Sequence, residues 1–249
     1  MIQVKNAAQI AMMRDAGKIT GEALAMAGEM VRPGITTKEI DTAIREYIKK
    51  CGATPSFLNY GGFPASACIS VNDEVIHGIP SAKKILRDGD IVKIDVGAYY
   101  KGYHGDSANT FPVGNVSEEA ATLIRVTKES FQKGIETLGP GSRLGDLGAA
   151  VDGYVRQFGF SAVRKFVGHG IGRDLHEVPD VPNYGIAGRG QRIYTGMVIA
   201  VEPMINAGTY DVIQLDDGWT IKTADGKLSA HYEHTLAVTD NGVVLLTKV

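Results

Sequence analysis

The sequence predicts an α+β fold, with one domain over residues 1–249 whose two halves, roughly 7–113 and 117–249, resemble each other. Three observations predict it. Helical and strand-like segments come in runs, which favours α+β over an alternating parallel α/β fold. Each half has the same order of segments: a helix, a Pro-Gly turn, a second helix and several strands. An apolar run that ends in an acid also recurs at an offset of 107 residues, first at Asp95 and again at Glu202.

Four helices are predicted, near residues 7–31, 37–48, 117–138 and 144–155. The second and the fourth follow the two Pro-Gly turns, and both have apolar residues three and four positions apart, which is typical of a helix with one buried side. We expect Thr36 or Thr37 to cap the second helix and Ser142 to cap the fourth, because hydroxyl groups satisfy the free N–H groups of a first turn.

The strands that follow these helices carry four acids. Lys101-Gly102 predicts a hairpin turn between two aromatic-rich strands. Asp95 and Asp106 flank this turn, so the hairpin would bring them close together on neighbouring strands, provided that the register keeps both on one face. Glu202 and Glu233 take the matching places in the second half, where a longer loop separates them.

A histidine completes the set of polar residues. His169 lies between glycines, which let other groups approach its imidazole, and a similar His-Gly-Ile stretch begins at His77. Taken singly, an acid near a turn or a strand end is usually a surface charge, and one histidine is usually structural. Their repetition across both halves favours a shared site, because four buried carboxylates raise each other's pKa and need positive charge nearby.

Two divalent cations would balance these four acids, and bridging carboxylates can hold two metal ions about 3.5–4 Å apart. Oxygen-rich ligation with one imidazole suits Mn, Fe(II), Co or Zn, and the sequence does not choose among them. The sequence lacks the Gly-x-Ser-x-Gly motif of serine hydrolases. His176-Glu177 begins a stretch that resembles His-Glu-x-x-His but lacks the second histidine.

The composition excludes other classes of protein. The net charge is −2 with acids and bases mixed throughout, so no nucleic-acid surface is expected, DNA included. No apolar run is long enough to span a membrane. Cys51 and Cys68 form no Cys-x-x-Cys motif, which fits a reducing compartment without structural disulfides. We therefore expect a cytoplasmic protein.

Four stretches, residues 94–97, 105–108, 166–184 and 202–204, closely resemble the type I methionine aminopeptidases of the bacterial short form. The resemblance covers essentially the whole chain, and all five metal-ligand positions of that family occur in order. It implies the "pita-bread" fold of the creatinase/aminopeptidase family, with a curved antiparallel sheet inside, helices outside and a metal pair between two pseudo-symmetric halves.

The resemblance also implies roles for the acids and the histidine. Asp95, Asp106 and Glu233 would hold one divalent ion, and Asp106 and Glu233 would bridge to a second ion that His169 and Glu202 complete. A metal-bridging hydroxide would attack the first peptide bond, with Glu202 as the proton shuttle. The substrate α-amine would bind a metal ion, which limits cleavage to the first residue.

Further residues are implied to contact the substrate. His176 would stabilise the tetrahedral oxyanion, and His77 would contact the substrate amide at the edge of the methionine pocket. Two positions depart from the family: Phe57 stands where many relatives carry cysteine, and Leu175 where an aromatic residue is frequent, so both would change the shape of the pocket. The pocket lining is implied to include Tyr60, Phe63, Cys68 and Trp219.

The implied activity is removal of the initiator methionine from nascent polypeptides whose second residue is small, by a monomeric enzyme. One alternative is a proline-directed aminopeptidase or dipeptidase, although those relatives usually carry an extra N-terminal domain. Another is a non-catalytic binding module, although such relatives typically lose metal ligands. Residues 206–228 are acidic, whereas relatives that dock on the ribosome there use a basic loop. We therefore expect at most a weak association with the ribosome.

Overall fold

The computed structural model describes residues 2–249. All four predicted helices are present and begin or end within three residues of the predicted limits. They are α1 (Ala7–Met30), α2 (Thr37–Lys50), α3 (Glu118–Ile135) and α4 (Leu144–Arg156). Within residues 2–249, no helix combines the length and the apolar character that crossing a membrane requires.

The caps of α2 and α4 differ from each other. Thr36 caps α2 as predicted: its hydroxyl accepts a hydrogen bond from the Glu39 N–H at 3.2 Å, and the Glu39 carboxylate accepts from the Thr36 N–H at 2.8 Å. The prediction that Ser142 caps α4 was wrong. Arg143 occupies the N-cap, and its N–H donates to the Asp146 carboxylate at 2.7 Å. The Ser142 hydroxyl instead accepts from the Gly139 N–H and donates to the Gly139 carbonyl, in the turn that precedes α4.

The first half of the chain folds into a long hairpin flanked by short strands. Lys101 and Gly102 form its two-residue turn with φ values of 50° and 84°, which match the favoured twist of a tight hairpin. Asp95 pairs with Ala108, and Asp106 pairs with Gly97, so the two acids lie diagonally on one face. The predicted hairpin is confirmed. The strands are β1 (Thr54–Pro55), β2 (Ala67–Val71), β3 (Glu74–Ile76), β4 (Ile91–Tyr100) and β5 (Tyr103–Pro112). Four of them form a sheet of order β1-β4-β2 in which β5 also pairs with β4, and β3 lies outside this sheet.

The second half contains more and shorter strands. The strands are β6 (Ser161–Ala162), β7 (Gly168–Gly170), β8 (Glu177–Val181), β9 (Val198–Val201), β10 (Met204–Asn206), β11 (Val212–Gln214), β12 (Ile221–Thr223), β13 (Ser229–His231), β14 (His234–Thr239) and β15 (Gly242–Leu245). The largest sheet has the order β15-β14-β9-β7-β8, and a smaller one has the order β13-β10-β6.

Residues 207–228, here called the outer hairpin, connect β10 to β13 and include β11 and β12. They are the longer loop that the sequence predicts between Glu202 and Glu233. Strand β12 pairs with β3 of the first half, so the outer hairpin crosses from one half to the other.

The helices cover the sheets and bury their own apolar faces. Helix α1 packs against β4 and β5, and α3 packs against β10 and β13. Two separate apolar clusters result, one for each pair of helices. The cluster under α1 and α2 includes Ile40, Ile44, Ile48 and Ile94, and the cluster under α3 and α4 includes Leu123, Val126, Leu147 and Val151.

The two halves meet at a seam between β5 and the start of β14. The Glu233 N–H donates to the Ala108 carbonyl at 2.8 Å, and the Ser107 hydroxyl donates to the Glu233 carbonyl at 2.7 Å. The Thr235 hydroxyl accepts from the Asp106 N–H and donates to the Asp106 carbonyl, both at 2.9 Å. Main-chain geometry therefore fixes one acid of each half, Asp106 and Glu233, beside the other.

Helix α1 lies so close to β5 and to the C-terminal segment after β15 that only glycine fits at both contacts. A Cβ on Gly105 would lie 2.8 Å from the Gly17 Cα, and a Cβ on Gly17 would lie 2.4 Å from the Leu246 carbonyl oxygen. These neighbours are backbone atoms, which cannot move aside as a flexible side chain can.

We predict that Gly17→Ala destabilises the fold by about 1–3 kcal/mol, since overpacking costs that much. Gly153→Ala is the matched control, because Gly153 also lies inside a helix but has open space around its Cβ position. This control should stabilise by ~0.5–1 kcal/mol through helix propensity. Urea unfolding of both variants measures the difference, and equal effects of one sign would contradict the packing argument.

Candidate metal centre

A cavity of about 140 Å³ lies where the two halves meet, and all eleven sequence-predicted site residues line it. Phe57 and Leu175, the two positions that depart from the family pattern, line it as well. A larger groove of about 590 Å³ beside α4 contains none of these residues. The eleven residues are Tyr60, Phe63, Cys68, His77, Asp95, Asp106, His169, His176, Glu202, Trp219 and Glu233.

The two acids of the first half stand on the hairpin of β4 and β5. Burial raises the pKa of Asp106 to about 7. Burial, followed by the charges of Asp106 and Glu202, raises the pKa of Asp95 well above its usual range. Both carboxyl groups therefore resist ionisation unless a cation compensates them.

The two acids of the second half stand beside β9 and β14. Glu202 follows β9 directly and Glu233 precedes β14, and these strands pair through Val201 and His234. Burial raises the pKa of Glu202, and the nearby Asp106 adds to the shift. Burial also raises the pKa of Glu233, with further contributions from Asp106, Glu202 and Asp95.

His169 lies on β7 and directs its imidazole at the acids. It pairs with Ala200 of β9, so its side chain shares a face with Glu202 two residues further along. Its Nδ1 donates to the Gly170 carbonyl at 2.9 Å, which leaves the Nε2 lone pair free to bind a metal. Nε2 lies 3.5 Å from Glu202 Oε1 and 3.7 Å from Asp106 Oδ2. Burial, with His176 nearby, lowers the pKa of His169 to about 3.

These residues fit a divalent-metal centre. Asp106, His169 and Glu233 place ligand atoms within 4.8 Å of one another, and Asp95 and Glu202 line the same cavity outside that tightest group. Within residues 2–249, Asp95 Oδ1, Asp106 Oδ1 and Glu233 Oε1 are buried without a hydrogen-bond partner. Buried acceptors of this kind are costly, and dications both neutralise the charge and use the free oxygens. Oxygen-rich ligation with one imidazole suits Mn, Fe(II), Co or Zn.

Two further histidines, His77 and His176, line the cavity. The His176 Nδ1 lies 2.7 Å from the Tyr60 hydroxyl, and its ring lies 4.2 Å from the His169 ring, centroid to centroid. His77 lies between Phe166 and Trp219, with edge contacts to both rings, and its backbone has a positive φ of 58°. A positive φ is uncommon for a residue other than glycine and often occurs at functional sites.

The remaining lining is apolar. The Phe63 and Trp219 rings meet edge to face at 5.2 Å, and Phe57, Cys68 and Leu175 are buried around them. Trp219 lies in the loop between β11 and β12. The outer hairpin therefore supplies one wall of this pocket.

The sequence analysis missed one residue beside the acids, His231. Its side chain is 1 % exposed, and its Nε2 lies 3.8 Å from Glu202 Oε2 and 3.9 Å from Glu233 Oε2. Burial first, with the charges of His77 and Lys93, lowers its pKa to about 3. The strand period of two could have revealed it, because His231 stands two residues before Glu233 and such residues share a face.

Comparison with known proteins places this centre in a family. The model of metallopeptidase family M24 matches residues 11–240. The chain belongs to that family. A methionine aminopeptidase of Clostridium perfringens is 57% identical over 249 residues, with all of both chains covered. Methionine aminopeptidase 1 of Bacillus subtilis is 49% identical, also with both chains fully covered.

Solved structures agree with the M24 assignment. A methionine aminopeptidase from Thermotoga maritima superposes with a TM-score of 0.98 at 43% identity, with both chains fully covered. A prolidase from Pyrococcus furiosus shares the fold with a TM-score of 0.79 at 24% identity, over 99% of this chain and 65% of the prolidase chain. The α+β pita-bread fold implied by the sequence is thereby confirmed.

We predict that Asp106→Asn and His169→Ala each weaken binding of divalent metal by more than about 100-fold, because even partners outside the ligand set contribute 10–100-fold. Calorimetric titration with Mn²⁺ measures the loss, and circular dichroism checks the fold. Asp180→Asn is the control, since Asp180 is an exposed acid opposite His169 on β8 and does not line the cavity. Wild-type affinity in the first two variants would contradict the site.

The raised pKa of Asp106 also predicts how pH affects the protein after a chelator has removed metal. The folded-state pKa is about 7, against about 3.9 for an unfolded aspartate. Between these values the folded state binds more protons, so stability should fall as pH rises from about 4 to 7. Asp106→Asn should make this slope shallower in urea unfolding measured at several pH values. An equal slope in both proteins would contradict the assignment.

Proposed function

We propose that this protein is a dinuclear metal-dependent aminopeptidase that removes the N-terminal methionine from nascent polypeptides whose second residue is small. One observation carries the proposal: the five metal-binding side chains and a narrow apolar pocket open into the same cavity. The metal centre can hydrolyse a peptide bond, and the pocket beside it selects the side chain that precedes that bond. The methionine aminopeptidases that resemble the chain over its full length support the same activity.

Asp95, Asp106 and Glu233 would hold one ion, and His169 and Glu202 would complete the second with Asp106 and Glu233 shared. When bound, the ions supply a polarised carbonyl and a water of lowered pKa. The unpartnered oxygens of Asp95, Asp106 and Glu233 support cation binding at this site, because each is a buried acceptor that a bound ion would satisfy.

The remaining steps belong to side chains. Glu202 takes the proton from the attacking water and passes it to the leaving amine, a task that suits a carboxyl group whose pKa is raised. His176 donates from Nε2 to the developing oxyanion. In this proposal the Tyr60 hydroxyl, 2.7 Å from His176 Nδ1, is the donor, which leaves the imidazole proton on Nε2. His77 contacts the substrate amide.

The pocket accounts for a preference for methionine. Its walls are apolar and partly aromatic, and a thioether is flexible, apolar and favoured beside aromatic rings. These apolar walls and the metal-binding side chains share one cavity of about 140 Å³. Phe57 and Leu175 contribute directly to these walls and therefore shape the selectivity of this chain.

We expect the protein to act in the cytoplasm as a monomer, close to the site of protein synthesis. Cys51 and Cys68 are both free thiols, in keeping with a reducing compartment. The outer hairpin carries Asp211, Asp216 and Asp225, so contact with ribosomal RNA through this segment would be electrostatically unfavourable. Any ribosome association is therefore expected to be weak.

The activity is tested by comparing two substrates on the metal-loaded protein. We predict release of methionine from Met-Gly-Met and no measurable hydrolysis of an Ala-Pro dipeptide, because the centre requires a side chain that fills the apolar pocket. Amino-acid release is followed by chromatography. Hydrolysis of the Xaa-Pro substrate alone would replace the proposal with a prolidase-like activity.

The assignment of His176 makes a separate prediction. His176→Ala should lower kcat by about 10²–10³-fold, the usual effect of removing one oxyanion donor. Metal content should stay unchanged, since His176 is no ligand. Tyr60→Phe keeps the ring but removes the hydroxyl, and should lower kcat by a smaller factor with little change in KM. A His176→Ala enzyme with wild-type kcat would remove His176 from the mechanism.

A further inference from the structure

His231 is buried beside the metal-binding acids without a hydrogen bond to either ring nitrogen. Its side chain is 1 % exposed, and neither Nδ1 nor Nε2 has a partner in the described part of the chain. Burying such polar atoms costs free energy unless a partner compensates them. The nearest acidic atoms are the outer oxygens of Glu202 and Glu233, at 3.8 and 3.9 Å from Nε2.

The position of the His231 ring is fixed by its backbone. The His231 N–H donates to the Thr110 hydroxyl at 2.8 Å, and that hydroxyl donates back to the His231 carbonyl at 2.8 Å. Met204 of β10 pairs with His231 on the other side. The backbone is thus held from both sides, and the buried side chain places its Nε2 beside the two acids.

His231 does not line the cavity that the five predicted ligands share, so it approaches their carboxylates from outside that cavity. Glu202 consequently lies between two imidazoles: its Oε1 faces His169 at 3.5 Å, and its Oε2 faces His231. A neutral imidazole has one N–H donor and one acceptor nitrogen. Donors outside the ligand set commonly orient metal-binding groups in this manner.

We propose that His231 is a positioning residue of the metal centre, whose Nε2–H donates to Glu202 Oε2 and turns Oε1 towards the ion that His169 also binds. The distance of 3.8 Å must shorten by about 1 Å to reach hydrogen-bond length, so the proposal requires a rotation of the Glu202 side chain when the ion binds. This inference rests on the proposed function, because it assigns Glu202 and His169 to one ion.

Three substitutions separate this role from simple packing. His231→Gln keeps an N–H donor near the position of Nε2, and His231→Asn places its donor near Nδ1 instead. His231→Leu fills the space without a donor. Weakening of 10–100-fold is typical when an outer-shell partner of a metal ligand is lost. We expect that loss for Asn and Leu, and less than about threefold for Gln.

The experiment is a calorimetric titration of the full chain with Co²⁺, accompanied by visible absorption of the bound ion. The wild type should show two binding steps, and only one of them should weaken in the Asn and Leu variants. If Leu fails to fold, the comparison of Gln with Asn decides. Equal affinity in the variants and the wild type, or equal loss in Gln and Asn, would overturn the proposal.

Turnover of Met-Gly-Met by the wild type keeps the two proposals distinguishable. A wild type that binds cobalt in two steps but releases no methionine contradicts the proposed function. A wild type that is active, with variants whose cobalt binding is unchanged, contradicts only the role of His231. The visible spectrum adds a readout that a packing role would leave unaltered, because it reports the geometry around the ion.

Discussion

The burial of four neighbouring carboxyl groups is the constraint on which the rest of the structure depends. Asp95, Asp106, Glu202 and Glu233 each have a raised pKa, with burial as the largest cause in every case. Bringing such carboxyl groups together does not stabilise the fold unless cations bind to them. The high free energy of the unliganded acids is therefore the source of the affinity for metal, and the surrounding protein must be rigid enough to resist their separation.

The rigidity comes from main-chain pairing. Asp106 is placed by a ten-residue strand in register with its neighbour, and Glu233 is placed by a hydrogen bond to Ala108 across the seam. His169 is placed by a strand too short to stand alone, which β8 and β9 hold from both sides. The backbone of each of these candidate metal-binding residues is therefore placed by pairing between strands.

Much of this arrangement could be predicted from the sequence because local rules govern it. Apolar spacing located the helices, and Lys101-Gly102 located the hairpin that brings Asp95 near Asp106. The cap at Ser142 could not be predicted, because an acid three residues after Arg143 competes successfully for the first turn. The pairing of β12 with β3 could not be predicted either, because it joins segments far apart in the chain and no local pattern encodes it. His231 lies two residues before Glu233, so the strand period could have placed it beside the acids, but its distance to Glu202 depends on the tertiary structure.

The pocket wall contributed by Trp219 has a consequence for how such enzymes diversify. Glu202 and Glu233 are placed by the pairing of β9 with β14, which lie outside the outer hairpin, so substitutions in the loop between β11 and β12 leave that pairing in place. Trp219 is carried on this loop, so the shape of the cavity can change without a change in the strands beside the acids. The strands that hold the acids and the loop that carries Trp219 are therefore separate parts of one chain. A change of specificity can arise in the loop while the acids that would carry out hydrolysis stay in place.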